Sequence, residues 1–341
     1  MRQITGLIGV GLLTGALGTD TALAADTSGC QDGERVIRFS HVTAETGHPK
    51  GRAAKALAER VNAEFDGTLC MIIYPNAELY SDNEELFAAM QAGEVQMAAP
   101  SLAKMSGFSK GFQVFDLPFM FRDMIHVIDF TYTDEAQGLL RSMDGTGLTG
   151  LAYWMNGMRQ ISANRALEAP GDVAGLRFRI QGSPVERAYY GLLGADVQKM
   201  SFSKVFGALE SGEVDGQENS WSNIYTKAFH TVQHSINETN HSLIAYALIV
   251  STDFWQGLPR RQRDQLNLVI QEVTHEYNGF AFQLDEVNRS KVFESDTPVR
   301  VLDADARQLW VNTLRPVWQQ FEGEIGAGLI AAASGGAVVN Q

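Results

Sequence analysis

The order of apolar and polar positions predicts alternating strands and helices after the first thirty residues. β-Branched and aromatic residues dominate residues 35–42 and again 69–74, which predicts two strands. The apolar positions between them have helical spacing: Ala53, Leu57, Val61 and Phe65. Gly67 ends this helix, and a second short helix is predicted from about Ser81, with Glu84 as its capping-box partner. Such alternation predicts an α/β fold.

The last third of the chain has a different pattern. Apolar residues step by three or four over a long stretch: Leu266, Ile270, Val273, Tyr277, Ala281, Leu284 and Val287. A helix of roughly 30 residues is about 45 Å long, so we expect it to brace more than one small domain. Another helix is predicted from near Asp303 or Asp305 through Phe321. Residues 331–341 are small and polar and are expected to form a loosely ordered tail.

One short phrase occurs twice. Residues 85–95 (ELFAAMQAGEV) match residues 204–214 (KVFGALESGEV), and five of the paired positions are identical. Each phrase predicts a helix, a glycine cap and the start of a strand. Helix–cap–strand junctions converge easily, so chance is one explanation. The other is two lobes of related build with a cleft between them.

The N-terminal segment has the pattern of a secretory signal. Arg2 is followed by an apolar stretch from Ile4 to Leu17, and Ala22-Leu23-Ala24 offers small residues for cleavage after Ala24. The alternative is a membrane anchor, but Asp20 interrupts the stretch well short of the ~20 apolar residues that a span needs. The segment 1–24 therefore predicts export from the cytoplasm.

Composition and cysteine content narrow the class of protein. The 341 residues are 45% hydrophobic, which excludes a disordered chain, and 40 acidic against 27 basic side chains give a charge of -13. Such an acidic chain is not expected to bind nucleic acid. Cys30 and Cys70 are the two cysteines. In an oxidising compartment they are expected to form a disulfide, with two separate thiols as the alternative.

Sequence signatures of catalysis are lacking. Neither a Walker sequence nor G-x-G-x-x-G occurs, so no cofactor is predicted. His230 and His234 have the spacing of helical metal ligands but lack an obvious third ligand, and solvated or capping roles are favoured. Asp215 and Glu218 are candidate paired carboxylates with no other catalytic mark. The sequence predicts neither an enzyme nor a metal site.

Arginines do occur inside predicted strands. In residues 153–159, alternation places Trp154, Asn156 and Met158 on one face and Arg159 on the other, unless a bulge forms at Gly157.

A second strand carries two more arginines. In residues 176–181, Arg177 and Arg179 share a face. A guanidinium in an apolar strand is costly unless it meets an anion. The partner is either an internal carboxylate or a bound ligand, for which the planar guanidinium is well suited.

Several segments of the chain resemble those of a known family. The segments that carry the resemblance occur in family order: FSHV (39–42), HPKG (48–51), PS (100–101), FDLP (115–118), LRFRIQ (176–181), GA (194–195), MSFS (200–203), VDGQEN (214–219), SNIY (222–225) and FWQGLP (254–259). They are similar to the solute-binding subunits of TRAP (tripartite ATP-independent periplasmic) transporters, most closely the dicarboxylate-binding DctP-type branch. The resemblance covers nearly all of the mature chain.

The resemblance implies a two-lobed fold of the periplasmic-binding-protein type, with crossing hinge strands and a long helix spanning both lobes. Lobe I is expected from 25–156 plus about 245–284, and lobe II from 157–244 plus about 285–330. The implied partners are a small and a large membrane subunit driven by an ion gradient. The chain itself is expected to be a monomer that captures an organic acid.

Site residues follow from the same resemblance. Arg179 occupies the position of the family's arginine that grips the ligand carboxylate, and Arg159 that of a second arginine in some members. Further ligand-binding residues are expected at Asn219, Phe202, Trp154, Asn156, His41, Lys50, Ser101 and Trp221. Many relatives have proline after Gln-Glu-Asn, whereas this chain has Ser220 and Trp221, which predicts a distal pocket of different shape. A C4-dicarboxylate, a hydroxy acid and a sugar acid therefore all remain candidates for the ligand.

Two other functions remain open at this point. The chain is alternatively a ligand-binding subunit for a sensor kinase, which shares the same pocket. An exported enzyme acting on acidic sugars is the less favoured alternative, because no nucleophile, metal or cofactor signature supports it.

Overall fold

The computed structural model describes residues 29–65 and 67–335. The predicted signal segment 1–24 and its cleavage site lie outside the described residues. The strands are β1 (Arg35–Ser40), β2 (Leu69–Tyr74), β3 (Met97–Ala98), β4 (Leu148–Met158), β5 (Gln160–Ala163), β6 (Arg177–Ile180), β7 (Asp196–Lys199), β8 (Gly216–Asn219), β9 (Ser235–Glu238), β10 (Leu243–Ser251) and β11 (Val299–Val301).

The α-helices are α1 (Pro49–Glu64), α2 (Asn83–Gln91), α3 (Met124–Thr131), α4 (Asp134–Arg141), α5 (Pro184–Leu192), α6 (Val205–Glu210), α7 (Trp221–Thr226), α8 (Thr252–Gly257), α9 (Arg260–Phe293), α10 (Ala304–Leu314), α11 (Pro316–Ile325) and α12 (Ala327–Ala333). Short 3₁₀ segments connect several of them, including 102–107 and 110–116. In the described part of the chain, none of the helices combines the length and apolar character needed to cross a membrane.

The strands form two sheets of related topology. The first has the order β2-β1-β3-β10-β4, and the second has the order β11-β9-β5-β8-β6-β7. In the first sheet β1 pairs in parallel with β2 and β3, and in the second β6 pairs in parallel with β7 and β8. An antiparallel strand follows on the same side, β10 beside β3 and β5 beside β8. The repeated phrase leads into β3 and β8 and thus marks two lobes of related build.

We call the first sheet with its helices lobe I and the second sheet with its helices lobe II. The chain passes between them at Arg159, which separates β4 from β5, and again at residues 239–242, which separate β9 from β10. Helix α9 has 34 residues and is about 51 Å long. It packs against α1 and β4 of lobe I and against α7 of lobe II, as expected for a brace.

Three predicted boundaries need correction. The N-cap of α2 is Asp82, whose carboxylate accepts from the backbone of Glu84 and Glu85, so Glu84 is not a capping-box partner of Ser81. The helix expected to run unbroken to Phe321 is divided into α10 and α11, because Pro316 has no amide to continue it. Residues 331–333, expected in a loose tail, complete α12. Residues 336–341 lie outside the described part.

Strand β4 contains a bulge at Asn156. Gly157 pairs with Ile244 and Met155 with Ala245, which leaves Asn156 as the extra residue. Because the bulge shifts the alternation, Met158 packs with Met155 in one core, while Trp154 packs in the other core. The expected common face of Trp154, Asn156 and Met158 is therefore wrong beyond the bulge.

Gly157 allows α9 to approach β4 closely. A Cβ atom at this position would overlap the buried carboxylate of Asp285 on α9. That carboxylate accepts a hydrogen bond from the backbone of Ser222 at 2.6 Å and so ties α9 to the first turn of α7. The predicted disulfide between Cys30 and Cys70 is confirmed and attaches the residues before β1 to β2.

We predict that Gly157→Ala lowers the free energy of unfolding by about 2 kcal/mol, since overpacking forces Asp285 away from Ser222. Urea denaturation of the ligand-free protein measures it. The matched control is Gly207→Ala within α6, where a Cβ meets nothing within 4 Å. It should stabilise slightly; equal losses in both variants would contradict this account of Gly157.

Candidate ligand-binding site

A cavity of about 60 Å³ lies between the two lobes. Its lobe I wall is formed by residues that follow the carboxyl ends of β1 and β3, and its lobe II wall by the ends of β6, β7 and β8. Ligands of open α/β sheets commonly bind at this edge. Polar and charged residues that line the cavity include Ser40, His41, Thr43, Lys50, Ser81, Asn83, Ser101, Lys104, Arg179, Gln181, Ser201, Asn219, Asn223 and Tyr246.

Arg179 is the buried cation of the lobe II wall. Strand β6 alternates, with Phe178 and Ile180 in the hydrophobic core and the two arginines on the other face. The guanidinium is 2% exposed, and its Nε and Nη2 donate to the carbonyl of Met200 at 3.2 and 2.9 Å. Within residues 29–65 and 67–335 no carboxylate forms an ion pair with it. Burial lowers the pKa of Arg179 to about 10, so it stays charged at neutral pH.

Its neighbour on the same face has a different environment. Arg177 pairs with Asp215 through Nε and Nη2, at 2.9 and 2.8 Å, and is partly exposed. For Arg177 the partner is therefore an internal carboxylate, that of Asp215. Arg179 lacks one and faces the cavity.

Two lysines extend from lobe I into the same cavity. Lys50 is buried, donates to the carbonyl of Ala99 at 3.1 Å and lies 4.0 Å from the ring centre of Tyr246. Burial lowers its pKa to about 7. Lys104 donates to the carbonyl of Gln181 across the cleft. Burial, together with Arg179, lowers the pKa of Lys104 to about 8.

The charge of the cavity is one-sided. The described residues that line it include three cations and no carboxylate. Three buried polar atoms of lining residues also lack a hydrogen-bond partner: Ser40 Oγ, His41 Nε2 and Ser201 Oγ. Buried polar atoms are normally paired, so this cavity is prepared for a polar anion.

Two asparagines complete the lobe II wall. The Nδ2 of Asn219 donates to Gln217 at 2.5 Å, and its Oδ1 accepts from Asn223 at 2.6 Å. Phe202 lines the cavity beside them, with its ring edge-to-face against Phe229 at 5.8 Å. These contacts fix the amides and the aromatic ring before any ligand enters.

The structure brings six of the ten predicted ligand-binding residues to this cavity: Arg179, Asn219, Phe202, His41, Lys50 and Ser101. Trp154 instead lies in the core of lobe I, where its indole donates to Thr274 on α9. Asn156 lies behind the lining and donates to the Tyr246 hydroxyl at 2.8 Å. Trp221 packs in the core of lobe II.

Ser220, where many relatives have proline, acts within helix α7 rather than at the cavity. Ser220 is the N-cap of α7 and accepts from the backbone of Asn223 at 3.3 Å. Neither Ser220 nor Trp221 lines the cavity. The expected change in pocket shape does not follow from these two residues, because their side chains stabilise α7 instead.

Arg159 also needs correction as a ligand contact. It is buried between the lobes, where its guanidinium pairs with Asp116 at 3.0 Å and with Glu186 and Glu218. Its Nε donates to the carbonyl of Leu243 at 2.8 Å. It does not line the cavity, because three internal carboxylates occupy its hydrogen-bonding capacity.

Two of the carboxylates around Arg159 have pKa values shifted in opposite directions. Burial raises the pKa of Asp116 to about 7. For Glu218 burial also acts upward, but Arg159 and the hydrogen bond from His241 outweigh it and hold the pKa well below its usual range. The cluster links residues of both lobes at the crossing point of the chain.

The other candidate groups do not form sites in the structure. His230 stacks on Tyr225, whereas His234 is exposed, so they do not converge on a metal. Asp215 and Glu218 belong to the separate Arg177 and Arg159 pairs. In the described chain, one group has metal-ligand spacing, and its two cysteines are joined as the disulfide.

Sequence reasoning missed several lining residues. Lys104 is an isolated cation in the apolar segment 97–108, and Tyr246 is the one polar side chain of β10 before Ser251. Both are unusual enough to be noticed in a sequence. Asn223 and Gln181 lie within motifs that carried the resemblance but had no assigned role.

Comparison with known proteins identifies the family of the chain. The model of the bacterial extracellular solute-binding proteins of family 7 (DctP) matches residues 39–324. The chain belongs to this family. It is 45% identical over 304 residues to the C4-dicarboxylate-binding periplasmic protein DctP of Vibrio cholerae, covering 89% of this chain and 91% of that protein.

Solved structures of TRAP solute-binding proteins have the same fold. One from Shewanella oneidensis with bound succinate superposes with a TM-score of 0.86 at 39% identity, covering 89% of this chain and 99% of that one. Another from Pseudomonas aeruginosa with bound L-malate gives 0.81 at 39% identity, covering 84% and 99%. The chain is thus a TRAP-type solute-binding protein with two lobes.

We predict that Arg159→Met lowers the free energy of unfolding of this solute-binding protein by about 3–5 kcal/mol, because three buried carboxylates lose their cation. Chemical denaturation at pH 7.5 measures the loss. The control Arg260→Ala removes an exposed pair with Asp264 and should cost below about 0.5 kcal/mol. Similar small losses in both would contradict the structural role of Arg159.

Proposed function

We propose that this protein is the periplasmic subunit of a TRAP transporter and that its ligand is a C4-dicarboxylate. The observation that carries the proposal is a cavity with Arg179 on one lobe, Lys50 and Lys104 on the other, and no lining carboxylate among the described residues. A dianion would compensate charges on both walls at once. The relatives with succinate and L-malate support this class of ligand.

The size of the cavity supports a small ligand. A single water molecule requires roughly 10–15 Å³, so about 60 Å³ holds about four to six water-sized groups. A four-carbon acid is a better match than a sugar acid. Among the three ligand classes, the C4-dicarboxylate is therefore our choice.

The mechanism is capture without chemistry. Arg179 already gives two donors to the carbonyl of Met200, and its remaining N–H groups meet one ligand carboxylate. Asn219 and Phe202 form the pocket walls around that carboxylate. Lys50, on the lobe I side, pairs with the second carboxylate. Closing the lobes excludes water, which strengthens each charge interaction. Binding thus selects the closed form.

The cellular setting follows from the same proposal. The segment 1–24 would direct export with cleavage after Ala24, and the protein would work in the periplasm, as the named relatives do. Its partners would be the small and large membrane subunits of the transporter. They would receive the ligand from the closed monomer and use an ion gradient to move it.

We predict that Arg179→Lys weakens succinate binding by about 100-fold or more, since lysine cannot reproduce the planar fork at a buried carboxylate. Isothermal titration of ligand-stripped protein gives the dissociation constants. The matched control is Arg177→Lys, two residues away on the same strand and paired with Asp215 outside the cavity. It should bind like the wild type. Unchanged affinity in the Arg179 variant would overturn the proposal.

A further inference from the structure

His48 occupies an unusual position at the start of α1. It is fully buried, and its Nδ1 accepts a hydrogen bond from the backbone of Lys50 at 3.1 Å as the N-cap of the helix. Because Nδ1 is an acceptor there, the neutral ring carries its proton on Nε2. That nitrogen lies 2.7 Å from Oδ1 of Asn223 and donates to it.

This second hydrogen bond joins the two lobes. His48 precedes α1, which packs on the sheet of lobe I, whereas Asn223 lies on α7 in lobe II. The Nδ2 of Asn223 in turn donates to Asn219, and both amides line the cavity. This bond requires the two lobes to lie close together at His48, so closure and the orientation of these amides are linked.

We propose that His48 is a positioning residue that stabilises the closed, ligand-holding form, and that only its neutral ring can do so. The inference rests on the proposed capture of a carboxylate between the lobes. The imidazole has both nitrogens engaged, one as acceptor and one as donor. In the closed form the ring is fully buried beside Lys50, and a second proton would place an uncompensated charge there, so the charged ring does not fit the closed form.

Two lysines near His48 also disfavour a charged ring: Lys50 on α1 and Lys227 at the end of α7. The neutral ring of His41 is a further neighbour, and the Tyr246 ring of β10 lies 6.3 Å away. From α9, the Asn288 amide reaches the carbonyl of Gly47. No carboxylate in the described part of the chain pairs with His48.

Burial and Lys50 lower the pKa of His48 to about 3 in this closed form. In an open form with the ring in water, the pKa returns toward its ordinary value of about 6.5. Protonation therefore favours the open form between these two values. Ligand affinity should fall as the pH drops below about 6.5 and should be insensitive to His48 above it.

The test compares two substitutions that separate the roles of the ring nitrogens. His48→Asn retains an oxygen that can cap α1 but is too short to reach Asn223. His48→Gln extends an amide donor toward Asn223 and does not titrate. Succinate titrations of wild type and both variants at pH 7.5 and 5.0, with melting temperatures of the ligand-free proteins, give all the readouts.

We expect His48→Asn to bind about tenfold more weakly at pH 7.5, with a melting temperature close to that of the wild type. His48→Gln should recover most of the affinity. Between pH 7.5 and 5.0 the wild type should lose about tenfold more affinity than either variant, because only the wild type has the His48 ring to protonate. The protonation of succinate is common to all three proteins and cancels in this comparison. A wild-type affinity loss shared by both variants would overturn the inference.

Failure of the proposed function is separately visible. If the wild type bound no dicarboxylate, the assignment of the ligand would fail. The role of the His48 hydrogen bond would then be tested on the ligand-free proteins. Small-angle scattering at pH 7.5 should then show a more compact average form for the wild type than for His48→Asn. Identical scattering profiles would overturn the role of His48.

Discussion

The structure depends on a buried group of basic side chains, Arg179 with Lys50 and Lys104, that has no carboxylate among the described residues lining the cleft. Arg179 is held in the wall of lobe II with the carbonyl of Met200 as its hydrogen-bond acceptor, and the described residues that line the surrounding cavity include no carboxylate. Keeping a cation out of water is expensive unless an anion accompanies it. The two lobes, the crossing strands and the brace α9 all serve to hold this charge where a ligand can reach it and water can be excluded.

Two buried arginines show how the same residue type acquires different roles. Arg159 has three internal carboxylates and stabilises the crossing between the lobes. Arg179 has no such partner among the described residues and so remains available to an external anion. The difference arises from neighbours that are distant in sequence, Asp116, Glu186 and Glu218, rather than from the strands on which the arginines lie.

The long sequence separation of these partners explains which features of the fold and the site could be predicted. Local patterns were sufficient for the alternating elements, the long helix α9 and the repeated phrase that leads into β3 and β8. The family resemblance added the position of Arg179. Trp154 and Arg159 were misplaced because their surroundings come from α9 and from the opposite lobe. The bulge at Asn156 also changed the facing of β4 beyond that residue, and a sequence does not reveal on which side of a glycine a bulge will form.

In the proposed mechanism a dianion bridges the cations on both walls. The most direct measurement is a calorimetric titration of ligand-stripped wild-type protein with succinate and, separately, with butyrate, which has the same carbon chain and one carboxylate fewer. The account predicts that succinate binds and that butyrate binds at least about 100-fold more weakly, a difference of about 2.7 kcal/mol. Equal affinities, or preference for butyrate, would contradict it.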